Sequence, residues 1–67
     1  MKVKRVQFPP KDGTQFVAMW VWNDKLWSTT YRYNELGHLE SYVDEEDDFT
    51  TTGFFPRVEH IEYFVAK

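Results

Sequence analysis

From Gln15 to Tyr33 the chain reads QFVAMWVWNDKLWSTTYRY. Two runs rich in aromatic and β-branched residues flank Asn23-Asp24-Lys25, and that composition suits two pleated strands joined by a tight turn. Six aromatics fall within the stretch: Phe16, Trp20, Trp22, Trp27, Tyr31 and Tyr33. If Asn23-Asp24 is a two-residue turn, Trp22 faces Lys25. One side of the hairpin then carries Trp20–Trp27, Ala18–Thr29 and Phe16–Tyr31, and the other carries Val21–Leu26, Met19–Ser28 and Val17–Thr30. A turn at Asp24-Lys25 keeps these faces, because side chains alternate strictly, whereas a three-residue turn breaks the correspondence by one.

Working outward, Val3 to Phe8 reads as a short strand ended by Pro9-Pro10, since two prolines cannot continue a ladder. Lys11-Asp12-Gly13 reads as a turn in which Asp bonds the backbone ahead and Gly takes positive φ. Beyond Tyr33, Asn34-Glu35-Leu36-Gly37 is a second turn and His38 to Val43 a third meander strand. That continuation places His38, Glu40 and Tyr42 with the aromatic side, and Leu39, Ser41 and Val43 with the aliphatic side. Asp44-Glu45-Glu46-Asp47-Asp48 is a self-repelling run expected to form a solvated loop, extended by Thr50-Thr51-Thr52-Gly53. Residues 58–65 (VEHIEYFV) fit a strand by length and by Ile, Val, Tyr and Phe content, though Val58, Ile61 and Val65 also fit a helical stripe.

The fold expected is a single domain over residues 1–67, mostly β. It is a small twisted antiparallel sheet or half-barrel of four or five strands, becoming α+β if residues 58–65 are helical. The aliphatic face reads as core. The aromatic face reads as a second core, a half-closed barrel interior or a recognition surface. A chain of 67 residues with no cysteine has no disulfide to lean on, so stability must come from large packed side chains or oligomerisation. Aromatics at 19% meet that need.

The net charge of −3 hides an asymmetry. Residues 1–33 hold six Lys/Arg against two Asp, or +4, and residues 34–67 hold two against nine Asp/Glu, or −7. No apolar run approaches the roughly 20 residues of a membrane span, and Met1-Lys2-Val3-Lys4-Arg5 leads into no signal-like stretch. A cytoplasmic protein is expected.

His38 and His60 would need a converging carboxylate and nucleophile to act as bases. No nucleophile motif accompanies them, and two histidines without cysteine make a poor metal set. No catalytic residue, metal or cofactor is therefore assigned. The acidic run lacks the alternating ligands and Gly of a calcium loop. It can instead mimic phosphates toward a basic partner, or simply solubilise a loop.

Acidic charge flanked by aromatics is a combination common at protein interfaces. It nominates Tyr42, Asp44, Glu45, Glu46, Asp47, Asp48, Phe49, Phe54 and Phe55 as a partner-binding set. The alternative is an aromatic face of Trp20, Trp27, Tyr31 and Tyr33. This face would stack single-stranded nucleic acid with Lys4, Arg5, Lys25 and Arg32 beside it, or form a homodimer contact. Against nucleic acid, the acidic half repels a phosphate backbone, and Lys4 and Arg5 have a plainer role in blunting an edge strand.

Pro9-Pro10-Lys11-Asp12-Gly13-Thr14, the Trp-bearing hairpin and the closing Arg57 to Val65 segment together resemble short phage and prophage proteins. Those proteins begin PP-x-DGT, carry tryptophans in a central hairpin and end with a Thr-His-Trp-like strand. Here Glu59-His60-Ile61 stands in place of Thr-His-Trp, and the acidic run at 44–48 is additional. The resemblance implies an accessory phage protein that acts in the bacterial cytoplasm by binding, and modulating or inhibiting, a host protein.

Overall fold

A computed structural model describes residues 2–52 and 55–66. Within them the protein is all β. Its strands are β1 (Val3–Val6), β2 (Phe16–Trp22), β3 (Lys25–Tyr33), β4 (Leu39–Val43), β5 (Asp48–Thr51) and β6 (Glu62–Ala66). They form one antiparallel sheet in the order β1-β6-β2-β3-β4-β5. Strands β2 to β5 are a meander, and β6 returns to lie between β1 and β2. No helix among the described residues is long and apolar enough to cross a membrane.

Of the turn positions the sequence leaves open, the central hairpin takes the two-residue turn at Asn23-Asp24. Phe16 faces Tyr31, Ala18 faces Thr29, Trp20 faces Trp27 and Trp22 faces Lys25. Asn23 and Asp24 both take positive φ, 56° and 61°. That is the type I′ geometry whose twist matches the flanking strands, and Asn and Asp tolerate it better than other non-glycine residues. The Asp12 turn also forms as expected. Asp12 Oδ1 accepts the Thr14 amide at 3.0 Å, Gly13 sits at φ +94°, and bonding to Thr14 holds the Asp12 carboxyl below its ordinary pKa.

Four features depart from the sequence reading. The sheet has six strands, because Asp48–Thr51, expected as loop, is β5. Only residues 44–47 are needed to turn the chain, and Phe49 and the threonines favour extended backbone. Secondly, the β3–β4 turn holds five residues: Tyr33 pairs with Leu39, and the Asn34 amide donates to the His38 carbonyl. Five rather than four reverses the parity. Leu39, Ser41 and Val43 therefore share the face of Phe16 and Tyr31, while Glu40 and Tyr42 lie on the opposite face. Thirdly, residues 58–61 are not strand. Only Glu62–Ala66 joins the sheet, paired with both β1 and β2, and the helical alternative is not adopted.

The fourth departure concerns the core. Phe16, Ala18, Trp20 and Tyr31 are buried, so the aromatic face is the core and the aliphatic face is open. The cause is the β5–β6 connection, which crosses the aromatic side and packs Phe55, Val58 and Ile61 onto it. Phe55 lies 5.4 Å from Tyr31 and 6.4 Å from Tyr63 by ring centroids, and Pro56, next to it in the strap, is buried. A single sheet buries one face only where something covers it, and here irregular chain supplies the second layer.

Candidate partner-binding surface

Strands β2 and β3 are seven and nine residues long, against four or five for all the others. The excess overhangs. Strand β6 pairs with β2 only from Phe16 to Met19, and β4 pairs with β3 only from Tyr31 to Tyr33. Among the described residues, 20–22 thus pair only with 25–27, and 28–30 pair only with 17–19, with no strand on their outer sides.

This overhang carries large apolar side chains on both faces. Val21 and Leu26 are 65% and 66% exposed on the open face, and Trp22 and Trp27 are 58% and 42% exposed on the strap face. The two indoles lie diagonally, 6.1 Å between centroids and tilted 59°. The Trp27 indole N–H donates to the Trp22 carbonyl at 2.9 Å, which fixes its ring orientation. Beside them an open cleft of about 720 Å³ runs between the tryptophans and Phe55, Pro56, Arg57 and Val58 of the strap. Arg57 is its one charged wall among those residues. An apolar cleft with rigid aromatic sides and few polar groups is a common form for a binding site.

The nominated acidic set divides. Tyr42 and Phe49 are cross-strand partners on the open face, 5.5 Å apart and edge to face. The Arg32 guanidinium lies 4.1 Å over the Phe49 ring while its Nε donates to Glu40 Oε1 at 2.8 Å. Tyr42 donates its hydroxyl to Asp47, and that bond, with the neighbouring carboxylates, raises the phenol pKa. Asp44, Glu45, Glu46, Asp47 and Asp48 are exposed beside this group. Phe55 lies on the other face, half-buried against the core, and Phe54 falls outside the described residues.

The alternative aromatic set divides too. Trp20 and Tyr31 are core, Tyr33 is half-buried against Phe16, and only Trp27 is open to a ligand. A stacking platform of all four is incompatible with the burial of Trp20 and Tyr31. Nor do the cations gather. Lys25 is at the hairpin tip, Arg32 is on the open face with Glu40, and Lys4 and Arg5 are on the far edge strand. His38 lies in the β3–β4 turn and His60 in the strap, both exposed.

The sequence reading missed Val21, Trp22 and Leu26 as surface anchors. Their signal was present in the run lengths, since two runs longer than their neighbours must project. Successive antiparallel turns alternate ends of a sheet, so the hairpin tip and the acidic β4–β5 turn share one end. Comparison with protein-family models, curated proteins and solved structures finds no match for this chain.

Proposed function

We propose that this protein is a small non-enzymatic binding module that engages a protein partner through the tip of the β2–β3 hairpin. The observation that carries this reading is the exposure of Val21, Trp22, Leu26 and Trp27 on a projecting hairpin. Large apolar side chains exposed together on both faces of a projecting hairpin mark an interaction site, and tryptophans are over-represented among residues that dominate binding energy. The acidic turn at the same end is the charged rim, and it favours a partner with basic groups around an apolar pocket. The resemblance to phage and prophage proteins supplies the class of partner: a bacterial host protein, modulated or inhibited in the cytoplasm.

Affinity capture from a nuclease-treated bacterial lysate tests this when wild type is compared with Trp22→Ala. One stoichiometric protein should be retained by the wild type, and its affinity for Trp22→Ala should fall by about 2 kcal/mol, roughly thirtyfold. Equal retention by both proteins would place the contact elsewhere. A second reading rests on Trp22 and Trp27 with Lys25 and Arg57 near them: stacking of single-stranded nucleic acid. It requires tryptophan quenching by oligonucleotides that weakens with salt.

A further inference from the structure

Among the described residues the sheet is open, with β1 and β5 at its edges, and the two edges differ. Strand β1 forms one edge, with Lys4 and Arg5 in it and Lys2 beside it; strand β5 forms the other, beginning at Asp48 and preceded by Asp44, Glu45, Glu46 and Asp47. The opposed charges of the two halves of the sequence are thus displayed on opposite margins of one sheet. We propose that the protein self-associates head to tail, the β1 edge of one copy pairing antiparallel with the β5 edge of the next.

Direction permits this. Six antiparallel strands give edges that run in opposite senses, so a second copy in the same orientation continues the alternation without rotation. A two-fold axis would also allow β1 on β1, or β5 on β5, in antiparallel pairing. Charge separates these choices. Like-edge pairing sets Lys4 and Arg5 against their own copies, or the acidic turn against itself, and like charges opposite one another destabilise a ladder. The unlike pairing sets them against each other. Among the described residues, the only ion pair either edge cation makes is the exposed Arg5–Glu62 contact at 4.0 Å, which leaves both cations available to a neighbour.

Side-chain parity permits it as well. Pairing Val3 with Phe49 joins two apolar residues on the open face, and the same register puts Lys4 opposite Asp48 on the strap face and Arg5 beside the acidic turn. The molecule also has surface to spare for a contact of this kind. The chain exposes 5576 Å². A compact monomer of 8.1 kDa is expected to expose roughly 4,500 Å². An excess of roughly 1,100 Å² is of the order that a specific association buries in total.

The contact is heterologous and does not close by symmetry, so it yields a concentration-dependent series rather than a discrete dimer. With four residues per edge it is weak, and screening weakens it further.

Sedimentation velocity over a hundredfold concentration range, at low and high salt, tests it. The weight-average mass should rise above 8.1 kDa with concentration at low salt and return to it at high salt. Two charge reversals give the decisive arm: Lys4→Glu with Arg5→Glu, and Glu46→Lys with Asp48→Lys. Each variant alone, shown to be folded by circular dichroism, should stay monomeric, and a one-to-one mixture should associate again. Monomers throughout, a salt-insensitive dimer, or a mixture that stays monomeric would overturn the proposal. Trp22→Ala should leave this behaviour unchanged, which separates it from the hairpin-tip contact.

Discussion

Tyr31 shows how much of this small core rests on single side chains. It is 1% exposed, 5.9 Å from Phe16 and 5.4 Å from Phe55 by ring centroids. Burial raises its phenol pKa, and burial raises that of Tyr63 as well. The sign follows from which state ionises first. In the unfolded chain these phenols ionise near pH 10, while in the fold they stay neutral to higher pH. Stability is therefore complete below about pH 10 and is lost as pH rises through the raised folded values. Tyr42, half-buried, adds little to this, since its partner Asp47 is exposed at the surface. In an alkaline titration, phenolate absorbance and loss of the native circular dichroism should coincide above pH 10, and Tyr31→Phe should move that midpoint upward. Ionisation of all four tyrosines near pH 10 with the fold intact would mean that Tyr31 is not sealed by the strap.

At the scale of elements, the strap is the least regular part of the fold and the part that decides which face is core. Phe55 bridges Tyr31 and Tyr63, so Phe55→Ala should cost about 2–3 kcal/mol, the lower end of large-to-small core losses because its ring is half-buried. Urea unfolding would read this as a lower midpoint with fluorescence of Trp20 shifted to longer wavelength; an unchanged midpoint would show that the aromatic face does not need its cover. The same element explains what the sequence could and could not disclose. That β2 and β3 form a hairpin was legible from two alternating runs flanking Asn23-Asp24-Lys25; its register was not, because without a Gly the turn position stayed open among alternatives. The side that becomes buried was not, since neither face is polar and the choice is made by Phe55, Pro56 and Val58, some thirty residues away. The position of Tyr42 failed for a smaller reason. One additional residue in the β3–β4 turn, with the Asn34 carboxamide oxygen accepting amides from Leu36 and His38, inverted the facing of a whole strand.

At the scale of the whole molecule, one sheet with a coil cover builds a small core, centred among the described residues on Phe16, Ala18, Trp20 and Tyr31. A 67-residue chain built this way has a narrow margin of stability, and any contact made by the folded state alone widens it. Head-to-tail pairing of β1 with β5 requires both edges to be ordered, so unfolded chains do not share in it. Stability should then depend on protein concentration by mass action, with an upper limit of about 1.4 kcal/mol per tenfold increase once association is well populated. For a domain of this size that corresponds to a melting temperature higher by roughly 5–10 °C per decade at most. The dependence should appear at low salt and fade at high salt, because the selectivity of the edges is electrostatic. The charge-reversed variants should each lose it and regain it when mixed. A melting temperature that is flat with concentration at low salt would leave the excess surface to the hairpin tip and its partner, and adding that partner would then raise the melting temperature where raising the chain's own concentration had not.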